Sequence, residues 1–290
     1  MELRRILRRL LARRGAVAGA VLALALVLIA ALGPALVHRD PLAADVDHGL
    51  TASGAPLPPS ADAPLGTDQL GRDVWTRVVV GSRSSLAIAT LATLLALAIG
   101  LAVGVLAGYA GGWTDHALMR LVDLVLAFPY LLLAILLASV LHGTALASSV
   151  APVVITLAIV GWPTVARVVR GKALAIARSE HVAAARALGA SPWRIAVHHV
   201  LPNLGGVAIA LAVPALAGNL LAESVLSYVG LGPAPPTPSW GRMMYEGRMY
   251  YRSAPWLALA PGVAILVAVV AFHLLGDGLR DAIDPKDEHA

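Results

Sequence analysis

The sequence has no cysteine among its 290 residues, which excludes disulfide bonds, cysteine-based metal sites and thiol nucleophiles. Charged residues are also scarce, at 13% of the chain, whereas 58% of the residues are hydrophobic and the mean hydropathy is +0.78. That balance is too apolar for a soluble globular protein, and the apolar residues come in long blocks. The composition therefore predicts a membrane protein.

Several catalytic signatures are absent. The chain contains no Gly-x-x-x-x-Gly-Lys-Ser/Thr phosphate loop, so no ATP site of this kind is predicted in it. It contains neither a His-Glu-x-x-His pair nor a Gly-x-Ser-x-Gly elbow, which argues against a membrane-embedded hydrolase. Metal-ligand spacing is lacking around the isolated His142, so no metal site is predicted. We therefore expect a protein that is not itself an enzyme.

Six apolar blocks approach or reach the roughly 20 residues that a helix needs to cross a bilayer. The first block is longer than the core of a signal peptide, so we expect a retained anchor and not a cleaved leader. Proline, tryptophan and glycine interrupt the fourth and fifth blocks, which spans tolerate where neighbouring helices satisfy the freed backbone groups. The predicted fold is an all-α membrane protein with six transmembrane helices at residues 15–37, 86–109, 117–141, 148–168, 200–222 and 256–276.

The net charge of +5 is unevenly distributed. Six arginines precede the first block, and six further basic residues lie around the loop that follows the fourth block. Basic residues concentrate on the cytoplasmic side of membrane proteins, so both termini are predicted to be cytoplasmic. The charge therefore reflects topology in membrane lipid, and no nucleic-acid partner is predicted.

Two segments between the spans are long enough to have structure of their own. Within the first, Leu70, Val74, Arg77 and Val78 fall at helical spacing and predict an amphipathic helix in the membrane interface, with arginine reaching water. No internal repeat or separate soluble domain is evident. The predicted parts are a cytoplasmic N-terminus (1–14), the first span (15–37), an extracytoplasmic segment (38–85), a five-helix core (86–276) with a docking loop (170–199) and an outer loop (223–255), and a cytoplasmic tail (277–290).

The docking loop, residues 170–199, is basic and has high helix propensity. Small residues on one helical face would let a groove of another protein approach the backbone closely. Gly189 is predicted to end this helix, and Ser191 with Pro192 suits a restart, as cap and first helical residue. Two short helices joined at an elbow would follow. The alternative is a solvated linker that is rich in alanine by chance.

Five segments follow one another along the chain: Pro64–Asp73, Asp123–Pro129, Arg170–Asn203, Gly230–Gly241, and Gly276–Asp281 with Asp284 and Pro285. In this order they resemble the shorter, C-type permease subunit of the dipeptide, oligopeptide and nickel ABC importers of the bacterial inner membrane. Ala183 and His273 depart from the family pattern, which commonly has an acidic residue and a polar amide at these positions. The residues that carry the resemblance to the ATPase-docking motif are Glu180, Ala183, Ala184, Ala185, Arg186, Gly189, Leu201 and Pro202.

The resemblance implies a type I ABC importer permease fold with a coupling-helix loop between spans four and five. It further implies a heterodimer with a second permease, two cytoplasmic ATPases that bind ATP and Mg, and an extracytoplasmic solute-binding protein. This chain would bind no cofactor of its own. Di- or oligopeptides would cross by alternating access at the heterodimer interface, with nickel or another small solute as the alternative.

Three questions stay open from the sequence. Asp123 and Glu223 are candidates for the transport pathway or a partner interface, although Asp123 could instead pair with Arg120. A glycine every fourth residue from Gly100 to Gly108 predicts close helix packing, against either this chain or the second permease. An ion-coupled secondary transporter is the rival function, but the middles of the spans lack the ionisable residues that such transporters use.

Overall fold

A computed structural model describes residues 9–37, 39–146 and 149–283. The predictions for residues 1–8, for the start of the fourth apolar block and for the tail 284–290 fall, wholly or in part, outside the described residues. Within them the chain is helical, and extended pairing is limited to isolated bridges between Leu50 and Pro56 and between Thr67 and Asp73. The helices are α1 (Arg14–Leu36), α2 (Val74–Ala110), α3 (Gly112–Leu126), α4 (Tyr130–His142), α5 (Ala151–Ala177), α6 (Glu180–Ala187), α7 (Pro192–Ile195), α8 (Gly205–Tyr228), α9 (Trp240–Gly247) and α10 (Trp256–Ile283).

Five helical stretches of the described chain are long and apolar enough to cross a membrane, and a sixth span results if α3 and α4 count together. The predicted all-α membrane architecture is confirmed. The third span differs from the prediction, because α3 and α4 meet at 89° and do not continue as one helix over 117–141. Pro129 explains the break, since proline donates no backbone hydrogen bond and disfavours helical geometry at the preceding Phe128.

The predicted separate interfacial helix is wrong. Residues 67–73 form turns, and α2 then runs without interruption from Val74 to Ala110. The Asp73 side chain caps it by accepting a hydrogen bond from the Thr76 backbone N–H at 2.8 Å. Arg77 is only 2% exposed and does not reach water, because acidic partners surround it in the folded chain.

The glycine stripe of α2 packs inside this chain, against α5. A Cβ atom at Gly100 would lie 2.5 Å from the Val165 side chain, and one at Gly104 would lie 2.7 Å from Val169. At Gly108 the nearest atom would be the Arg170 backbone oxygen, at 2.6 Å. No side chain fits at these distances, so the stripe allows α2 and α5 to pack backbone to backbone.

The two ends of the bundle have different structures. At one end, Val74 at the start of α2 packs with Met243 of α9 and Leu257 of α10. At the other end, Val105 of α2 packs with residues of α6 and α7. The distance between these points along α2 is about 45 Å at 1.5 Å per residue. We call these the α9 end and the elbow end.

Candidate docking site and buried polar clusters

The elbow, residues 178–204, reverses the chain between α5 and α8. Gly189 has φ of +81°, a backbone conformation that favours glycine. The Ala190 N–H donates to the Ala185 carbonyl at 3.1 Å and the Gly189 N–H to the Arg186 carbonyl at 3.0 Å, which satisfies the end of α6. Ser191 then accepts a hydrogen bond from the Arg194 N–H at 3.3 Å. The predicted helix end and restart are therefore both present.

One face of the elbow is anchored to the bundle. Val182 of α6, Ile195 of α7 and Val200 after it are buried, and they pack with Val105 and Val169 of the spanning helices. Because these side chains interlock with the core, a force on the elbow is transmitted to α2 and α5 through packed contacts.

Other apolar side chains of the elbow are exposed, and two of them, Trp193 and Leu201, border an apolar cleft beside α2. Leu188 is 89% exposed, Trp193 is 74% exposed and Leu201 is 42% exposed. Large apolar side chains gathered on a surface are typical of protein contact sites. Sequence reasoning missed Leu188 and Trp193, although their position beside the turn residues Gly189 and Pro192 is a usable signal. Of the predicted docking residues, Ala185 is half-buried and the exposed ones are Glu180, Ala183, Ala184, Arg186, Gly189, Leu201 and Pro202.

Asp123 pairs with a different arginine from the one weighed in the sequence. Its carboxylate lies 2.5 Å from the Arg167 guanidinium of α5, and it forms no ion pair with Arg120. A second pair is bidentate: Arg170 donates from Nε and Nη2 to the two oxygens of Asp115, each at 2.5 Å. Both pairs tie α3 to α5, the helix that leads into the elbow, so α3 and α5 are joined at the elbow end.

Glu223 is enclosed within this chain, whereas the sequence made it a candidate for the transport pathway or a partner interface. It is 0% exposed. Its Oε1 accepts a hydrogen bond from Ser227 at 2.7 Å, and Ser224 lies 3.5 Å from Oε2. Hydroxyls of Ser85 in α2 and Ser239 before α9 also contact the carboxyl group. Glu223 therefore joins α8, α2 and the start of α9 through hydroxyl groups.

A cluster of five charged residues, the charged cluster, lies at the α9 end, with two members buried and three partly buried: Asp68, Arg72, Arg77, Arg242 and Glu246. Arg77 donates to Asp68 and, at 2.9 Å, to Glu246. Arg72 contacts the same two carboxylates at 2.7 and 3.0 Å. Burial raises the pKa of Glu246, but the charge of Arg77 and hydrogen bonds from Arg242 and Arg77 outweigh burial, and the pKa is lowered.

The charged cluster joins parts of the chain that are far apart in sequence. Arg72 and Glu246 are separated by 174 positions. The cluster fixes the segment before α2 to α9, and the indole N–H of Trp256 adds a 3.1 Å hydrogen bond to the Thr67 carbonyl. Sequence reasoning noted the motif Pro64–Asp73 but missed that its charges meet α9, because spacing along the chain carries no information on such distant partners.

Comparisons with known proteins agree with this architecture. The family described as "Binding-protein-dependent transport system inner membrane component" matches residues 100–287, and the "N-terminal TM domain of oligopeptide transport permease C" matches residues 2–59. The chain is 40% identical to the dipeptide transport system permease protein DppC of Alkalihalophilus pseudofirmus over 228 residues, which cover 79% of this chain and 73% of that protein.

Two further matches concern another relative and a solved structure. The glutathione transport system permease protein GsiD of Escherichia coli is 42% identical over 79% of this chain and 74% of its own length. The fold resembles a chain of the MetNI methionine ABC transporter in inward-facing conformations, with a TM-score of 0.59 and 21% identity, covering 73% of this chain and 97% of that one. The first family match spans well over half of the sequence. The chain therefore belongs to the inner-membrane permease components of binding-protein-dependent ABC importers, in the dipeptide and oligopeptide group.

Proposed function

We propose that this chain imports di- or oligopeptides as one half of a permease heterodimer, driven by ATPase subunits that dock on the elbow. Peptide is favoured over nickel because the dipeptide and glutathione permeases share about two fifths of their aligned residues with this chain. The elbow end would face the cytoplasm, with both termini on that side, and the α9 end would face the solute-binding protein.

The observation that carries the proposal is that the elbow combines buried residues, which anchor it, with large exposed apolar ones. Val182, Ile195 and Val200 hold it to the spanning helices, while Leu188 and Trp193 are 89% and 74% exposed. A groove on an ATPase could receive the exposed apolar side chains, and the buried ones would transmit its movement. ATP and Mg would be held by the ATPases, so this chain would need no cofactor.

The test is co-purification of the ATPase subunits with variants of the elbow. Gly189→Arg places a large side chain at a φ of +81° at the exposed turn beside Leu188, and deletion of 183–189 removes the C-terminal part of α6 and this turn. We expect both variants to insert in the membrane and to lose ATPase association. The control is Gly171→Arg in α5, where a Cβ would meet no atom within 4 Å and the backbone is helical.

Two outcomes would contradict the proposal. Normal ATPase association with both elbow variants would show that the elbow is not the docking site. Uptake that continues after ATP depletion and follows an ion gradient would instead support a secondary transporter. Nickel uptake without peptide uptake by the assembled transporter would retain the ATPase mechanism and change only the substrate.

A further inference from the structure

A small cavity of about 210 Å³ lies between α2, α5 and α8, beside the bend that joins α3 to α4. Its polar lining consists of Thr93, Asn219 and Tyr130, and its walls include Ala96, Val165 and Gly218. Thr93, Val165 and Asn219 all lie near the middle of their helices, so the cavity is at mid-membrane depth. No charged side chain lines it.

The hydrogen bonds around Asn219 fix how its amide is oriented. The Thr93 hydroxyl donates its only proton to the Ala89 carbonyl at 2.7 Å. It must therefore accept from Asn219, whose Nδ2 lies 2.9 Å from the Thr93 oxygen. The Oδ1 atom of Asn219 is left as a hydrogen-bond acceptor that takes no proton from any described residue.

Tyr130 supplies a complementary group. It is the first residue of α4, it is 40% exposed, and its hydroxyl has no hydrogen-bond partner among the described residues. Asn219, by contrast, is only 6% exposed. Unpaired polar groups in a membrane interior are costly, and they are typical of a transport pathway when they face a cavity.

Resting on the peptide import proposed above, we infer that this cavity is one half of a subsite for the peptide main chain. A peptide N–H would donate to Oδ1 of Asn219, and a peptide carbonyl would accept from the Tyr130 hydroxyl. Such a subsite recognises the neutral amide that every peptide shares. The absence of charge from its lining makes it indifferent to the sequence and the termini of the cargo.

The size of the cavity sets how much cargo it can hold. Binding pockets for drug-sized ligands measure about 300 to 1,000 Å³, so 210 Å³ accommodates only a short part of a peptide at one time. A Cβ atom at Gly218 would meet no heavy atom within 4 Å, so a side chain can be added there without disturbing the helices.

The first test uses the absence of cysteine. Gly218→Cys places one thiol in the cavity, and Leu94→Cys places one at a similar depth on α2, where the leucine is 58% exposed. Both variants are assembled with the second permease and the ATPases in proteoliposomes and treated with a membrane-impermeant thiol reagent. We expect Gly218→Cys to be labelled during ATP turnover, Leu94→Cys to be spared, and alanine peptides of two to five residues to protect Gly218→Cys.

The second test measures uptake of the same alanine peptides. Tyr130→Phe removes one hydroxyl, and loss of one hydrogen bond corresponds to a fall in apparent affinity of about 3- to 10-fold. Tyr228→Phe is the matched control, because Tyr228 is similarly exposed at 46% but does not line the cavity, and we expect it to transport normally.

The outcomes separate this inference from the proposed function. Suppose that the wild type takes up alanine peptides. The subsite alone would then be overturned if the two cysteine variants are labelled equally, if Gly218→Cys is not labelled, or if peptide does not protect Gly218→Cys from labelling. Normal affinity in Tyr130→Phe would overturn the role of its hydroxyl. Absence of ATP-driven uptake of alanine peptides by the wild type would overturn both the proposed peptide function and the subsite.

Discussion

The two ends of this bundle differ in whether their prominent side chains are paired within the chain or exposed. At the α9 end, the three arginines of the charged cluster pair with its two carboxylates inside the chain, and Arg77 is 2% exposed. At the elbow end, Leu188 and Trp193 extend outward and are 89% and 74% exposed. The charged groups at the α9 end are therefore paired within the chain, whereas the elbow end carries large exposed apolar side chains.

We expect the two kinds of contact to serve different purposes, stability at the α9 end and binding at the elbow end. Ion pairs that are buried and hydrogen-bonded lose much stability when one partner is removed, so they hold the segment before α2 against α9 in one arrangement. The exposed elbow residues contribute little to the folded state and are free to serve binding. We therefore expect substitutions at the α9 end to change stability and substitutions at the elbow to change association.

The largest effect is expected from Arg77→Met in the charged cluster. The change removes one of the two arginines that Asp68 and Glu246 share, and Arg72 remains beside both carboxylates. Breaking a buried pair costs about 3 to 5 kcal/mol of unfolding free energy, and we expect a loss of about 3 kcal/mol because Arg72 still compensates part of the charge. Thermal denaturation of the purified chain in detergent measures the loss. The control is Arg252→Met, an exposed arginine near Tyr251, for which we expect a change within about 0.5 kcal/mol. Equal losses of stability in Arg77→Met and Arg252→Met would show that the buried ion pairs contribute no more than an exposed arginine.

A smaller effect is expected from Gly189→Ala at the turn of the elbow. An alanine side chain at φ of +81° is strained by roughly 1 to 2 kcal/mol, partly offset by the lower entropy of the unfolded chain. Gly171→Ala in α5 has the same chemistry in a helical backbone with free space, and we expect it to be neutral or stabilising. Denaturation midpoints of the two variants provide the measurement, and identical midpoints would show that the turn carries no strain.

Almost no effect on stability is expected from Leu188→Glu, because the leucine packs on nothing in this chain. The change should stay within about 0.5 kcal/mol, while ATPase co-purification is lost through the charge placed on the apolar contact face. Val46→Glu, at a position 58% exposed in the segment before α2, is the matched control and should retain the ATPase. A marked loss of stability in Leu188→Glu would mean that Leu188 packs against other residues of this chain.

The smallest effect is expected from pH, because the contribution of Glu246 to the unfolding free energy should not change near neutral pH. Because the pKa of Glu246 is lowered in the folded chain, its contribution is fully present above the ordinary carboxyl pKa and is lost as the pH falls through the lowered value. The difference in unfolding free energy between the wild type and Glu246→Gln should therefore stay constant between about pH 8 and pH 6 and shrink in more acidic solution. A difference that shrinks already above about pH 6 would contradict the lowered pKa.

Local features of this protein could be predicted from particular residues. Gly189, Ser191 and Pro192 indicated where one helix ends and the next begins, because turn and cap geometry depends on neighbouring residues. The bend at Pro129 was missed, although proline was visible, because an apolar run on both sides resembles one continuous span. The interfacial helix was misplaced because helical spacing of Val74 and Val78 looks the same in a separate helix and in the first turns of α2.

The sequence by itself determined a multi-spanning, cysteine-free helical protein, since apolar block length and missing motifs are properties of short segments. Only the tertiary structure decided that Arg77 is buried, that Asp123 pairs with Arg167 and that Ser85 of α2 contacts Glu223. The physical reason is separation along the chain. Partners 44 to 174 positions apart meet only when distant helices pack, and one arginine looks like another until that packing selects it.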